Sequence, residues 1–326
     1  MKITVIGAGA WGTTMGIHLA DAGHDVTMWT RDAERAGLME EQRENTRYLK
    51  SFRFPDSLQV TAGAIGEPDF LVGGIPTQYM RDCFSALKDR LPRAPFISLS
   101  KGIELKTGQL PTQIYEDVMG ADVPTAVLTG PNIAREVALK EPTGAVVAGD
   151  EAEMFQAAFN GPTFRVYTSD DRLGAELGGA LKNIMGIAAG IVDGLGLGDN
   201  TKATLLTRGI VEIARLGITL GAKMDTFNGL AGFGDLFTTC VSPYGRNRGV
   251  GERLGKGETL DEILADMQSV AEGVPTTRAV LEIARKHGCE MPISEALYAT
   301  LFEGVAPQES ITRLMTRDPR RESTRR

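Results

Sequence analysis

Cysteine and histidine are scarce in this sequence, and neither residue type is grouped. The chain has three cysteines, Cys83, Cys240 and Cys289, and three histidines that are equally scattered. An odd number of widely separated cysteines predicts no disulfide framework and indicates a reducing compartment, the cytoplasm. Neither residue type shows the spacing of metal ligands, so we predict no metal site.

Long basic runs and long apolar runs are also missing. The formal net charge is −7, and positive charge is concentrated only in the tail from Arg313 to Arg326, which lacks a sustained apolar face and is predicted to be loose. Such a chain is not expected to bind nucleic acid or an anionic membrane. The most apolar run, 177–192, is shorter than the about 20 residues needed to cross a bilayer, so we predict no membrane span.

A glycine-rich turn follows the first predicted strand. The order is strand 2–6, the turn Gly7-Ala8-Gly9-Ala10-Trp11-Gly12, a helical pattern over 13–22, and a second strand at 25–29. This is the context in which a GxGxxG sequence binds a dinucleotide. Gly7 permits the turn, Gly9 lets the backbone approach a pyrophosphate, and Gly12 allows close packing of helix on strand.

The rest of the chain changes from alternating elements to helices alone. Further strands are predicted at 70–73, 95–99, 125–128, 144–148 and 163–167, and later helices at 171–192, 200–220, 259–267, 274–287 and 294–302. The pattern predicts an α/β fold: a Rossmann-type, doubly wound, mostly parallel sheet followed by an all-α C-terminal domain. A chain of 326 residues has room for about two domains. We place the dinucleotide-binding domain at 1–189 and a helical substrate-binding domain at 190–326.

Four loops are expected to meet at one edge of this sheet. Ligands of open α/β sheets bind beyond the carboxyl ends of the strands. The loops 7–12, 74–77, 100–103 and 129–132 should therefore converge on one cleft. Lys101 lies in such a loop, where a solvated lysine without a chemical role is the alternative.

One lysine interrupts the long apolar helix. Lys182 is the only charged residue between Leu177 and Val192. Burial among small and apolar side chains disfavours the charged form of a lysine and lowers its pKa, which suits proton transfer near neutral pH. The alternative is a lysine that extends to the edge of the helix without any chemical role.

Glycines are dense around one aspartate in the second half. Asp235 ends the stretch 229–235, and Gly245-Arg246-Asn247-Arg248 follows it closely. Such glycines indicate backbone close to a ligand, although Asp235 could instead be the N-cap of a helix over 236–241. Arg246 could donate two parallel hydrogen bonds to a phosphate, unless this turn is simply solvated.

The end of the second strand bears on the choice of cofactor. A strictly NAD-specific Rossmann domain usually has Asp or Glu at this position, which binds the ribose 2′-hydroxyl. Here the strand ends in Thr30-Arg31-Asp32, and a guanidinium at Arg31 can pair with the 2′-phosphate of NADP. Asp32 is predicted to cap the next helix. NADPH should therefore be preferred and NADH tolerated.

Taken together, these motifs resemble those of the bacterial-type NAD(P)-dependent glycerol-3-phosphate dehydrogenases over nearly the whole chain. The matching segments are GAGAWGT (7–13), SKGIE (100–104), Gly130-Pro131, ELGGALKN (176–183), DGLG (193–196), GDN (198–200), GLAGFGDL (229–236), RNR (246–248) and AEGV (271–274). Two positions depart from the family pattern. Asn132 stands where the family normally has Ser or Thr, and Gly245 stands where it usually has Ser.

The resemblance implies roles for individual residues. Lys182 would be the general base that takes the C2 hydroxyl proton of glycerol 3-phosphate, with Lys101 and Asp235 completing the catalytic group. The cofactor would contact Gly7, Gly9, Ala10, Trp11, Gly12, Arg31, Lys101, Ala134, Arg246, Val270 and Glu272. The substrate would contact Lys101, Gly130, Asn132, Lys182, Asn183, Asp235, Gly245, Arg246 and Asn247.

The expected reaction is the interconversion of sn-glycerol 3-phosphate and dihydroxyacetone phosphate with NADP or NAD, supplying glycerol 3-phosphate for phospholipid synthesis. Two alternatives are a 6-phosphogluconate- or hydroxyacid-type dehydrogenase of the same fold and a non-catalytic dinucleotide sensor. The pairing of Ser100-Lys101-Gly102 with Arg246-Asn247-Arg248 argues against a simple hydroxyacid, and a sensor predicts loss of the proton-transfer residues, which are present. The sequence does not determine whether the protein is a monomer or a homodimer.

Overall fold

The computed structural model describes residues 1–267, 270–319 and 321–322, and its ten strands all lie between residues 2 and 169. They are β1 (Lys2–Ile6), β2 (Asp25–Trp29), β3 (Glu44–Asn45), β4 (Leu49–Arg53), β5 (Leu58–Thr61), β6 (Phe70–Gly73), β7 (Phe96–Ser98), β8 (Thr125–Thr129), β9 (Thr143–Gly149) and β10 (Phe164–Ser169). Eight of them form one sheet in the order β10-β9-β8-β7-β6-β1-β2-β5, and β3 pairs with β4 separately. All neighbours in the large sheet are parallel except β8 and β9. The predicted doubly wound, mostly parallel sheet is confirmed.

Helices cover both faces of this sheet. They are α1 (Ala10–Asp21), α2 (Ala33–Gln42), α3 (Thr77–Leu87), α4 (Pro111–Met119), α5 (Ala134–Ala138) and α6 (Ala152–Phe159). Successive side chains of a strand point to opposite faces, and consecutive residues of β1 show this. Val5 packs into the cluster around Met15 and Phe155, whereas Ile6 packs into the cluster around Phe84 and Phe96. Burial on both faces explains why these strands read as continuous apolar runs.

The second half is helical, as predicted. Its elements are α7 (Arg172–Gly194), α8 (Asp199–Thr219), α9 (Met224–Asn228), a π-helical turn (Leu230–Gly234), α10 (Asp235–Val241), α11 (Arg246–Gly255), α12 (Leu260–Asp266), α13 (Gly273–Lys286), α14 (Pro292–Phe302) and α15 (Pro307–Met315). The tail was expected to be loose from Arg313, but Arg313–Met315 belong to α15. Arg320 and residues 323–326 lie outside the described chain.

Helix α7 forms the centre of the helical half. At 23 residues it is longer than the run 177–192 suggested, and by length and composition it could cross a membrane. However, 94% of its most apolar window is buried inside the protein, where Leu177, Leu181 and Ile184 pack with side chains of the later helices. α7 is therefore a buried core helix in this fold. The division of the chain at 189/190 remains our proposal.

Candidate active site

The glycine-rich loop joins β1 to the first turn of α1. Gly7 has a φ of +111°, which a side chain rarely adopts, and a Cβ atom there would lie 2.7 Å from the carbonyl oxygen of Gly74. A Cβ at Gly12 would lie 2.2 Å from the carbonyl oxygen of Gly7, so the helix can pack this closely only with glycine. Gly9 is the N-cap and gives no side-chain cap to α1. The first N–H groups of the helix, from Ala10 and Trp11 onward, are therefore open to a pyrophosphate, and the loop fits a dinucleotide.

Two lysines share one buried carboxylate at the carboxyl edge of the sheet. Lys101 Nζ lies 2.6 Å from Asp235 Oδ2, and Lys182 Nζ lies 3.0 Å from Asp235 Oδ1. The Asp235 side chain is 2% exposed, and the lysine side chains are 14% and 11% exposed. Asp235 is the first residue of α10 and Gly234 is the cap, so the carboxylate serves the lysines and does not cap the helix. The structure brings together three residues that are spread over 134 positions of the sequence, from Lys101 to Asp235.

Both lysines also donate a hydrogen bond to a neutral oxygen and keep N–H donor capacity for a ligand. Lys101 Nζ also donates to the carbonyl oxygen of Gly130 at 2.9 Å, and Lys182 Nζ donates to Thr239 Oγ1 at 2.6 Å. An ammonium group has three donors, so Lys101, with two hydrogen bonds, retains one N–H for a ligand, and Lys182, with one hydrogen bond and one ion pair, retains at least one. Thr239 was not singled out in the sequence. Its position one helical turn after Asp235, in the predicted helix 236–241, is the signal that could have found it.

Burial lowers the pKa of Lys101 to about 8, from an ordinary value of 10.5. Asp235 opposes this shift by favouring the charged form, and Lys182 adds to it through repulsion between like charges. A lysine with a pKa of about 8 can hold or release a proton near neutral pH.

This shift predicts a pH-dependent stability. Between pH 8 and 10.5 the unfolded chain holds a proton on Lys101 that the folded chain has lost, so the contribution of this group to stability rises with pH over that window. We expect the free energy of unfolding of the wild type, minus that of Lys101→Met, to rise by up to about 3 kcal/mol across the window. Urea unfolding at several pH values measures it. A difference that does not change with pH would contradict the assignment.

A chain of buried amides supports the lysine loop. Asn183 Nδ2 donates to the carbonyl oxygen of Lys101 at 2.9 Å, and Asn247 Nδ2 donates to Asn183 Oδ1 at 2.9 Å. Asn247 Oδ1 in turn accepts from the backbone N–H of Gly273, at the start of α13. These bonds fix the Lys101 backbone relative to α7, α11 and α13.

The predicted phosphate clamp lies at the start of α11. Gly245 is the N-cap and has no side chain to satisfy the first N–H groups of the helix. Arg246 is exposed at the first helical position, whereas Asn247 is buried. Nearby, Asn132 donates through Nδ2 to the carbonyl oxygen of Gly144 at 3.1 Å, and its buried Oδ1 has no partner among the described residues.

The predicted cofactor residues are spread along the same edge of the sheet. Glu272 accepts from the N–H of Thr77 at the start of α3, and burial raises its pKa to about 7. Ala134 accepts from the Thr14 hydroxyl of α1, and Val270 is half-buried beside the start of α13.

Two adjacent charged residues, Arg31 and Asp32, follow β2 and differ in their contacts. Arg31 is exposed there. Asp32 caps α2 by accepting from the N–H of Arg35 at 3.0 Å, as predicted. Within the described chain, Arg31, Ala134, Val270 and Arg246 make no hydrogen bond to the lysine–carboxylate centre.

Comparison with known proteins decides the family. Family models match residues 2–155, described as the N-terminus of NAD-dependent glycerol-3-phosphate dehydrogenase, and residues 171–312, described as its C-terminus. The chain belongs to this dehydrogenase family. The predicted resemblance is confirmed, and with it the dependence on a nicotinamide cofactor.

Relatives of the family align along their whole length. Proteins named glycerol-3-phosphate dehydrogenase [NAD(P)+] from Chlorobium phaeobacteroides and Streptomyces avermitilis are both 45% identical, each over 99% of this chain and 99% and 98% of their own. The crystal structure of glycerol-3-phosphate dehydrogenase from Coxiella burnetii superposes with a TM-score of 0.92 at 33% identity, covering 97% of this chain and 99% of that one. A D-mandelate dehydrogenase with a TM-score of 0.66 and 14% identity shares the fold alone.

Proposed function

We propose that this chain interconverts sn-glycerol 3-phosphate and dihydroxyacetone phosphate with NADP or NAD. The observation that carries the proposal is the pair of lysines held on Asp235, beside a loop that fits a dinucleotide. A sensor without catalysis would not require two buried ammonium groups on one carboxylate. Supply of glycerol 3-phosphate to phospholipid synthesis follows from the same reaction.

The nicotinamide cofactor would supply the hydride, and the lysines stabilise the negative charge on the substrate oxygen. As hydride adds to C2 of dihydroxyacetone phosphate, negative charge develops on the carbonyl oxygen. The free N–H groups of Lys101 and Lys182 can both point at that oxygen and stabilise it. Lys182 then gives it a proton, and in the reverse direction Lys182 takes the proton from the C2 hydroxyl.

Asp235 and Thr239 orient the proton carrier. Asp235 pairs with the Lys182 ammonium and Thr239 accepts a hydrogen bond from it, so these two contacts together fix the position of the Lys182 nitrogen. The buried amide chain through Asn183 keeps Lys101 at the same oxygen. These contacts are made between protein groups alone, so the protein itself holds both lysines in place for the substrate.

Arg246 and Asn247, at the start of α11, are proposed to hold the substrate phosphate. The open N–H groups there and the guanidinium suit a dianion. We expect dihydroxyacetone phosphate to be reduced with a kcat/KM at least about a hundredfold above that of dihydroxyacetone, since charged hydrogen bonds contribute about 1.5–3 kcal/mol each. Steady-state kinetics with both substrates measures the ratio, and Arg246→Ala should reduce it. Equal kcat/KM values for the two substrates would remove the phosphate site from the proposal.

Arg31 is proposed to select NADP. The Asp32 carboxylate is engaged as a helix cap, and Arg31 is free at the end of β2. Arg31→Ala should raise the KM for NADPH about tenfold or more and leave the KM for NADH nearly unchanged, because a charge-assisted contact to the 2′-phosphate is lost. Arg53→Ala, an exposed arginine of β4, is the control. Unchanged discrimination in Arg31→Ala would show that another residue contacts the 2′-phosphate.

We propose a cytoplasmic location from the state of the cysteines. The three cysteines are free and lie apart, which suits the reducing cytoplasm. A small phosphorylated molecule is the expected partner. Assembly as a homodimer and the absence of a metal remain predictions.

A further inference from the structure

One cavity of the protein lies outside the lysine–carboxylate centre. It has a volume of about 410 Å³ and opens between the loop 103–110 and helices α7, α8 and α13. We call it the rear pocket. Volumes of about 300–1,000 Å³ are typical of sites for small organic ligands. None of the roles assigned above uses its residues.

Five leucines and Ile283 belong to the aliphatic part of the rear pocket, beside a polar part of similar area. Leu110 and Leu177 are buried at its base, and Leu173, Leu220 and Ile283 are only partly covered. On the loop side, Leu105, which also lines the pocket, is 40% exposed. Partly exposed aliphatic side chains around one cavity favour an aliphatic ligand, because the ligand removes their surface from water.

The rim of the rear pocket is cationic. Lys106 of the loop and Lys286 at the end of α13 are exposed, and His287 is next to Lys286. Glu282 is the one carboxylate among the lining residues. Within the described chain, neither lysine forms an ion pair. In a protein with a net charge of −7, this positive rim is complementary to an anionic head group.

The walls of the rear pocket continue into the catalytic segments. The loop 103–110 begins two residues after Lys101, α7 carries Lys182, and α13 begins next to Glu272. At Gly108 the loop approaches Ile283 of α13, where a Cβ atom would lie 3.8 Å from Cδ1. A ligand that fills the pocket would contact the two segments that hold Lys101 and Glu272, so its binding can shift one segment relative to the other.

We propose that the rear pocket binds an amphipathic anion, an acidic head group on a saturated chain of about eight to ten carbons, and that its binding lowers kcat. The chain lies against the leucines, and the head group lies between Lys106 and Lys286. Coupling is reciprocal, so bound substrate and cofactor must weaken the binding of the anion to the same degree. A carboxylate and a phosphate monoester share this chemistry.

Calorimetric titration of the wild-type protein with octanoate, decanoate and decyl phosphate, below the concentrations at which they form micelles, tests the proposal. Each added methylene should tighten binding about fourfold, so decanoate should bind about fifteenfold more tightly than octanoate. The comparison of decanoate with decyl phosphate shows which acidic head is preferred. Equal binding of decylammonium, or no dependence on chain length, would overturn the proposal.

Reversing the charge of the two rim lysines tests whether the anion binds in the rear pocket. The double variant Lys106→Glu/Lys286→Glu changes exposed residues only, and it should weaken decanoate binding at least about tenfold and abolish the inhibition by decanoate. Lys88→Glu, an exposed lysine at the end of α3, is the control and should bind as the wild type does. Wild-type binding by the double variant would refute the site. The calorimetric result does not depend on the proposed reaction, so the two proposals can fail separately.

Discussion

Replacing Lys182 by alanine should lower kcat for dihydroxyacetone phosphate by about two to four orders of magnitude, the usual scale for loss of general acid–base catalysis. Lys182 is held by an ion pair to Asp235 at 3.0 Å and a hydrogen bond to Thr239 at 2.6 Å, and it keeps an N–H for the substrate oxygen. Without it, Lys101 remains to stabilise negative charge, but the oriented proton donor is lost. Stopped-flow and steady-state kinetics measure the change.

The controls for Lys182→Ala separate catalysis from folding. Cofactor binding should be retained, because the dinucleotide loop lies on β1 and α1 and not on α7. Lys223→Ala, an exposed lysine paired with Asp170, should leave kcat unchanged. A normal kcat with a raised KM in Lys182→Ala would make Lys182 a binding residue instead of the proton carrier.

Gly190→Ala should strongly destabilise the protein. Helices α7 and α11 are in backbone contact, and a Cβ at Gly190 would lie 1.9 Å from the carbonyl oxygen of Arg248. Backbone atoms cannot rotate away, so the helices must separate. We expect a loss of about 3 kcal/mol or more and a fall in Tm of about 5 °C or more, measured by thermal unfolding.

Gly249→Ala is the matched control on the facing helix. A Cβ at Gly249 would meet no atom within 4 Å, so alanine should raise stability by up to about 1 kcal/mol through its better helix propensity. Since α11 begins with Arg246 and Asn247, Gly190→Ala should also raise the KM for dihydroxyacetone phosphate. Equal stability of the two variants would contradict the close packing of α7 on α11.

The sequence predicted the parts of the fold that have continuous apolar signals. The strands β1, β2, β6, β8 and β9 and the helices α7, α8 and α13 were placed within a few residues. The segment of α11, RNRGVGERLG, contains three glycines, and this composition predicts a turn and not a helix. Those glycines include Gly251, where a Cβ would lie 1.9 Å from the carbonyl oxygen of Ile187, so contact with α7 overrides the low helix propensity.

Short polar strands were missed for a related reason. The strands β3, β4 and β5 have only two to five residues and at most two buried positions each, and β3 and β4 pair with each other in a separate sheet. β5 joins the sheet only through β2. Such elements depend on tertiary contacts, which a local pattern does not contain.

At the site, the local sequence indicated the residue types, whereas only the family resemblance grouped Lys101, Lys182 and Asp235. A lone lysine in an apolar helix and an aspartate among glycines identified Lys182 and Asp235 as candidates. That Asp235 joins Lys182 to Lys101 depends on a contact across 134 positions, and Thr239 acquires its role only through that contact. The lowered pKa of Lys101 likewise comes from burial that its loop sequence does not reveal.

The central claim is that this chain reduces dihydroxyacetone phosphate at C2 with a nicotinamide cofactor. The most direct test follows the absorbance of NADPH with the purified protein and dihydroxyacetone phosphate, and identifies the product by NMR. We predict stoichiometric oxidation of NADPH with formation of sn-glycerol 3-phosphate, and no turnover when 6-phosphogluconate, with NADP⁺, or a simple ketoacid is supplied instead. Turnover of either of those compounds, with none of dihydroxyacetone phosphate, would contradict the claim.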